Sequence, residues 1–297
     1  MVTQVRSRVS WKRRLLQGLG AIVLLIAVAG GVLIARGQQR LDRRYEAVLA
    51  PLPAPAADAV ARGEHLSRTY GCRHCHGEDL GGMVMEDSAL MHLTGPNLTP
   101  ASDVVAGYQP VDWARALLHG IARDGRPVVI MPSHHFRVLG DADVAALAAY
   151  FAQAPAVERK LPPSELHLPG KLLLGLGADM LAAEQIDHAA VRGQVPTPPM
   201  AATREYGAYL ARACEGCHGA ALQGGPAVGP PGSPAPPDIS ARALRSWTKP
   251  EFVRAMREGK KRDGSALNPI MPWQALRHMT DDELTALWLA LREDSAL

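Results

Sequence analysis

The sequence predicts a mainly α-helical chain: one N-terminal transmembrane helix followed by two tandem copies of one small domain. Three observations carry this expectation. An uncharged run from Leu15 to Ala35 is long enough to cross a bilayer as a helix. The pattern Cys-x-x-Cys-His occurs twice, as Cys72-Arg73-His74-Cys75-His76 and Cys214-Glu215-Gly216-Cys217-His218, and uses all four cysteines. Downstream of each copy the same landmarks recur in the same order, offset by 142 residues at the first cysteine and 140 at the closing helix.

The apolar run holds 21 residues, about 31 Å as a helix. Residues 1–14 form a basic arm with Arg6, Arg8, Lys12, Arg13 and Arg14, which favours a cytoplasmic N-terminus. Arg36, Arg40, Arg43 and Arg44 follow the run, so charge alone orients it weakly. Ala27-Val28-Ala29 offers a signal-peptidase site, but apolar residues continue through Val32, Leu33 and Ile34. The expectation is therefore an uncleaved anchor over residues 15–35. A stalk over residues 36–58 then ends in a Pro/Ala-rich stretch. Residues 1–61 hold nine Lys/Arg against three Asp/Glu, and the remaining 236 hold 23 against 26. The body is thus slightly acidic, and it carries no nucleic-acid footprint.

The repeated pentapeptide has a chemical reading. Two thiols three positions apart reach the two vinyl groups of one porphyrin and add across them as thioethers. The adjoining histidine then swings under the ring to bind iron. A thioredoxin-like pair needs no such histidine, a four-cysteine zinc site leaves both histidines unexplained, and disulfides closing such short loops are strained. The expectation is two covalent haems c per chain, held by Cys72 and Cys75 and by Cys214 and Cys217, with His76 and His218 on iron. A haem also fills core volume, which suits an aromatic content of only 5%.

The landmarks define the repeat. Gly77 and Leu80-Gly81-Gly82 are matched by Gly219 and Leu222-Gln223-Gly224-Gly225. Asp112-Trp113-Ala114-Arg115-Ala116 is matched by Glu251-Phe252-Val253-Arg254-Ala255, with Trp113 and Phe252 read as packing residues. Arg-Asp-Gly follows at 123–125 and 262–264, and Ile-Met-Pro at 130–132 and 270–272. Val144, Leu147, Ala148 and Phe151, matched by Leu284, Leu287, Trp288 and Leu291, show helical i, i+3, i+4, i+7 spacing. Thr280 and Glu283 form a capping box ahead of the second closing helix. These marks place domain 1 at 59–160 and domain 2 at 203–297. Between them, 161–202 reads as a stiff Pro-rich linker, with a short apolar helix within Leu172–Ile186 packing between the two units.

Met131 and Met271 occupy the same repeat position, each before proline, and are the expected sixth ligands of the two irons. Met83, Met85, Met91, His134 and His135 compete at the first site, and His278 and Met279 at the second. The carbonyls of Pro96 and Pro230 are candidates to orient the proximal imidazoles. Arg254, Arg257, Lys260, Lys261 and Arg262 form a basic cluster read as a solvated helix face, with an acidic docking partner or haem propionates as the sharper alternative.

Taken together, CxxCHG, the Gly-Gly loop, Asn97-Leu98-Thr99-Pro100, Arg-Asp-Gly, Met-Pro and a terminal helix resemble the class I cytochrome c superfamily, specifically its membrane-anchored dihaem members. The pattern is also similar to the cytochrome subunits of membrane-bound alcohol and gluconate dehydrogenases. Those subunits typically carry three haem motifs where this chain has two, and domain 2 shows Pro237-Asp238-Ile239-Ser240 in place of Asn-Leu-Thr-Pro. The resemblance implies electron transfer on the periplasmic side of the bacterial inner membrane, with no catalysis of its own. It also implies redox partners: a dehydrogenase or quinol-oxidising donor, an oxidase, or another cytochrome. The alternatives are a peroxidase-like dihaem enzyme and a subunit of a larger membrane complex. A pyridine haemochrome assay is expected to return two haems per chain, and Cys214→Ala with Cys217→Ala is expected to leave one.

Overall fold

The computed structural model describes residues 11–189, 195–227 and 232–292. Most of the basic arm, and Pro230, lie outside the described residues. The apolar run forms helix α1 (Trp11–Asp42), long and apolar enough by length and composition to cross a membrane. The helix continues beyond Ala35, so the first turn and more of the segment read as a stalk is helical. The rest of that segment lies on domain 1: the Tyr45 N–H donates to the Gly125 carbonyl at 2.9 Å, and Leu49 and Leu52 pack on its core.

Domain 1 runs α2 (Ala59–Thr69), α3 (Cys72–His76), strands β1 (Met83–Asp87) and β2 (Met91–Gly95), α4 (Pro110–His119), α5 (Ser133–Phe136) and α6 (Asp141–Gln153). In sequence β3 (Glu165–Leu166) and α7 (Leu168–Gly175) follow. Domain 2 is α8 (Arg204–His218), α9 (Ala241–Leu244), α10 (Lys249–Glu258), α11 (Trp273–Leu276) and α12 (Asp281–Leu291). The chain is mainly helical, as expected. The antiparallel β1–β2–β3 sheet, with Met83 opposite Gly95 and Met91 opposite Leu166, has no counterpart among the described residues of domain 2.

Each domain is built on the crossing of its first and last helices. α2 meets α6 at Gly63, where a Cβ would overlap the Ala146 carbonyl. α8 meets α12 at Gly207, where a Cβ would overlap the Ala286 carbonyl. Hydrogen in place of a side chain lets the backbones touch, and the apolar faces close over Leu66, Leu147 and Phe151 in one core and Leu210, Leu284 and Leu287 in the other. Trp113 and Phe252 take the packing role expected of them, beside Phe151 and Trp288.

The crossings bring two buried carboxylates to the boundary between the domains. Arg62 on α2 pairs with Asp143 on α6 at 2.9 Å, and Tyr209 on α8 donates its hydroxyl to the same carboxylate at 2.6 Å. In the mirrored arrangement, Tyr206 on α8 donates to Glu283 on α12 at 3.1 Å, and His65 on α2 reaches Glu283 at 2.7 Å. Arg62 and Tyr206 are repeat equivalents, as are His65 and Tyr209. The seam is therefore a pseudo-twofold in which each carboxylate takes one partner from its own domain and one from the other. Glu283 also closes the Thr280 capping box as expected. Asp143 is one methylene shorter and makes no cap bond. The Tyr209 hydroxyl fills the gap, accepting the Gly140 N–H at 2.8 Å.

The linker differs from its expected form. Rather than a stiff extended spacer it contributes β3, α7 and a 3₁₀ turn at Ala182–Gln185. The apolar helix starts earlier than Leu172 and packs on α1, not between the domains: a Cβ at Gly37 would overlap the Lys171 carbonyl, and one at Gly175 the Leu33 carbonyl. Leu41, Met91, Leu93, Leu166, Leu174 and Leu181 share a separate small core joining the end of α1, the sheet and α7.

The Glu283 carboxyl makes the seam acid-sensitive. Burial pushes its pKa up, but hydrogen bonds from His65, Thr280 and Tyr206 outweigh burial and hold it below the usual 4.5. A depressed folded value adds stability above the unfolded value and loses it as pH falls through the folded one. The resistance of domain 2 to denaturant is expected to fall with acidification below about pH 4.5, and Glu283→Gln is expected to flatten that dependence while lowering stability at neutral pH.

Candidate functional site

Each Cys-x-x-Cys-His forms helical turn, so the two thiols lie on one face. In domain 1 this is α3, separated from α2 by Gly71 at φ 73°, and in domain 2 it is the end of the continuous α8. The cysteines are not disulfide-bonded. Burial pushes the Cys72 and Cys214 thiols up to about 12, and burial also raises Cys75 and Cys217. A disulfide-exchange pair relies on a thiolate favoured by a lowered pKa, the opposite of the direction in which burial pushes these thiols. Among the described residues no three His, Cys, Asp or Glu side chains are grouped to hold a bare metal ion. The two motifs therefore do not assemble the four-cysteine zinc site.

The histidines are held alike. His76 Nδ1 lies 2.8 Å from the Pro96 carbonyl, and His218 Nδ1 lies 2.8 Å from the Pro237 carbonyl. A carbonyl only accepts, so Nδ1 carries the proton and Nε2 keeps its lone pair for a metal. Burial lowers the His76 pKa against the opposing effect of the Pro96 bond, which favours the neutral ring a ligand must be.

Pro96 orients the first imidazole as expected. The second partner is Pro237, not the Pro230 that the sequence suggested. The signal was present in the Asp238-Ile239-Ser240 that follows, which repeats the pattern of Asn97-Leu98-Thr99. Asn97 Oδ1 accepts the Thr99 N–H at 2.8 Å, and Asp238 Oδ1 accepts the Ser240 N–H at 2.9 Å, so both prolines precede the same side-chain-closed turn. Asn97 further donates to the Val157 carbonyl at 2.8 Å, and Asp238 pairs with Arg242 at 2.8 Å.

The loop after each motif is equally duplicated. Leu80 at φ 58° and Leu222 at φ 56° are both left-handed and buried, a conformation costing about 1–3 kcal/mol for such a residue. Gly82 donates to the His76 carbonyl at 2.8 Å and Gly224 to the His218 carbonyl at 2.9 Å, while Leu98 and Ile239 donate back to Leu80 and Leu222. The same strain is kept in both copies because the loop must fold under the histidine and present the proline carbonyl to it.

Met131 packs on the core that includes Cys72, and Met271 on the core that includes Cys214. α4 stops at Gly120 (φ 65°) and α10 at Gly259 (φ 66°), and the chain then doubles back toward each methionine. Most of the competing residues are placed elsewhere. Met85 and Met91 belong to the small core with the sheet, and Met83 is exposed. At the second site His278 is exposed, while Met279 is buried in the same core as Met271. The His134 and His135 rings lie against each other, tilted by 56° with centroids 4.1 Å apart, and the His135 ring sits where a side chain on Gly216 would project. The basic cluster is largely engaged within its own domain: Arg257 pairs with Asp281, Arg262 with Glu251, and Lys260 with Glu258.

This donor set fits a covalent haem in each half: paired thiols on one helical face, an imidazole with Nδ1 occupied, and a thioether on the same core. Each half is a class I cytochrome c domain. Residues 58–151 match the family described as cytochrome c oxidase, cbb3-type, subunit III, and residues 205–289 the family described as cytochrome c. Domains of this class bind haem c covalently and transfer electrons.

Among curated proteins, a nicotinate dehydrogenase subunit of Pseudomonas putida is 28% identical over 211 residues, covering 65% of this chain and 17% of the relative. The gluconate 2-dehydrogenase cytochrome c subunit of Pantoea cypripedii is 26% identical over 261 residues, covering 77% of this chain and 58% of the relative. The chain thus spans less than two thirds of either relative.

The absence of a side chain at Gly216 is what admits His135 from domain 1 to the second motif. Gly216→Val is expected to force the contact apart and cost about 1–3 kcal/mol, read as a lower unfolding midpoint with both haems still attached.

Proposed function

We propose that this chain is a membrane-tethered two-haem relay, carrying electrons on the periplasmic side of the bacterial inner membrane from a dehydrogenase or quinol-oxidising donor to a terminal acceptor. Cys72 and Cys75, and Cys214 and Cys217, hold the haems as thioethers; His76 and Met131, and His218 and Met271, close the two irons. When bound, the haem supplies the one-electron redox couple. The protein fixes the ligand tautomer, excludes water and sets the distance between centres. Thioether ligation favours ferrous iron and leaves no open coordination position, which suits a carrier better than a peroxidase.

One observation carries the relay reading. The short helix after each methionine packs on the first helix of the other domain: α5 meets α8, and α11 meets α2. His135 lies against Gly216 inside the second motif, and Ala275 lies beside Gly71, the residue before Cys72. Each attachment turn therefore faces the ligand loop of its neighbour across one polar seam, an arrangement suited to electron passage within the chain. The apolar α1 supports the tether, and haem attachment outside the cytoplasm sets its orientation.

The names of the two relatives favour a specific form of this reading, in which the relay serves as the cytochrome subunit of a dehydrogenase complex. The anchor glycines Gly18, Gly20, Gly30 and Gly31 have no atoms within 4 Å of a notional Cβ and leave room for a neighbouring helix.

The oxidised protein is expected to show the weak near-infrared charge-transfer band of methionine-ligated haem. Met131→His or Met271→His is expected to remove about half of its intensity and lower one of the two potentials. Rapid peroxide turnover by the wild type, or an unchanged band in either variant, would overturn the pair of closed His/Met irons.

A further inference from the structure

The helix α7 has the wrong surface for a linker in water. Its sequence, Leu168-Pro169-Gly170-Lys171-Leu172-Leu173-Leu174-Gly175, is apolar on every side except at Lys171. Gly170, Leu174 and Gly175 are buried, yet Leu168 is 64% exposed, Leu173 38% and the following Leu176 63%. A helix apolar all round is ordinarily enclosed by other protein or by lipid.

Its position says which. α7 packs on α1 between Leu33 and Gly37, at the end of the uncharged run and beside Arg36, its first charge. That level corresponds to the boundary between hydrocarbon and headgroups for a helix whose apolar span ends at Ala35. The join is rigid. The Arg40 guanidinium bonds the Leu174 carbonyl and the Ala178 carbonyl at the end of α7 and pairs with Glu184. α7 is also tied to the sheet, since the His167 N–H donates to the Leu90 carbonyl at 3.0 Å. The exposed leucines thus extend the lipid-compatible surface of α1 sideways, and Lys171 and Arg36 stand among them as cations suited to anionic headgroups.

We infer that α7 is a second membrane contact, lying in the outer interface of the bilayer with Leu168, Leu173 and Leu176 in lipid, and that it fixes domain 1 against the membrane surface. This rests on the anchor reading of α1. Its recognition chemistry is an apolar interface fringed by anionic headgroups.

The test places a photoreactive amino acid singly at Leu25, Leu168, Leu176 or Leu289 of the full haem-loaded chain. The protein is then irradiated in nanodiscs of phosphatidylethanolamine and phosphatidylglycerol, and lipid adducts are measured by mass spectrometry. Leu289, 40% exposed on α12, is the water-facing control. Adduct yields at Leu168 and Leu176 are expected to approach that at Leu25 and to exceed Leu289 roughly tenfold. Adducts at Leu25 without adducts at Leu168 and Leu176 would overturn the interfacial helix and leave the anchor standing. No adducts at Leu25 would overturn the anchor and the inference together. The same irradiation in native membranes provides the competing occupant: protein adducts at Leu168 and Leu176 in place of lipid would assign the face to a partner subunit.

Discussion

Asp143 and Glu283 sit where three packing requirements meet. Each is the third residue of its domain's closing helix, where a carboxylate interacts favourably with the free N–H groups of the first turn. Each is brought to the boundary by a helix crossing that only glycine permits, at Gly63 and at Gly207. A carboxylate so deeply buried needs several donors, and one domain does not provide enough of them. Arg62 and Tyr206 come from the same domain as the acid they serve, while Tyr209 and His65 come from the other. Burial of the acids therefore commits the two halves to one another. Removing a single donor leaves an under-satisfied buried charge, a far costlier state than an apolar gap.

That commitment organises the redox geometry. With the helix crossings fixed, α5 and α11 have one place to go, each onto the other domain's first helix. Gly216 is the local concession: the position equivalent to His74 loses its side chain so that the His135 ring can approach the second motif. The seam is symmetric in its hydrogen bonds and asymmetric in its filling, His135 on one side and Ala275 on the other. The two centres consequently have different surroundings even though their ligand sets read alike.

What the sequence revealed and what it hid have physical reasons. The haem motifs, the repeat, the paired methionines and the capping box at Thr280 depend on short-range spacing, and spacing is visible in one dimension. The sheet is hard to read in the sequence because Met83–Gly95 alternates poorly, and the very short β3 pairs with β2 from the linker beyond domain 1. The linker looked extended because its prolines mark chain direction, while the contacts that fold it, Arg40 to Leu174 and Gly37 to Lys171, join segments remote in sequence. Pro230 shares with Pro96 a preceding glycine, whereas Pro237 shares its distance from the histidine, 19 residues against 20, and the Asx-apolar-hydroxyl turn that follows. The seam was illegible for a deeper reason: nothing local tells that Glu283 accepts from His65.

The break at Gly71 has a consequence in angular phase. From Gly207 to Cys214 is seven residues, and at about 100° per residue that is nearly two full turns. A crossing glycine and its first haem cysteine then share a face on one unbroken helix. From Gly63 to Cys72 is nine residues, which on a continuous helix would rotate the cysteine by about half a turn, away from the core. The left-handed glycine at 71 ends α2 and restarts the rotation at α3, restoring the azimuth that the two additional residues would have spoiled. The kinked entrance to the first haem turn is thus a phase correction, and the straight α8 shows the form that needs none.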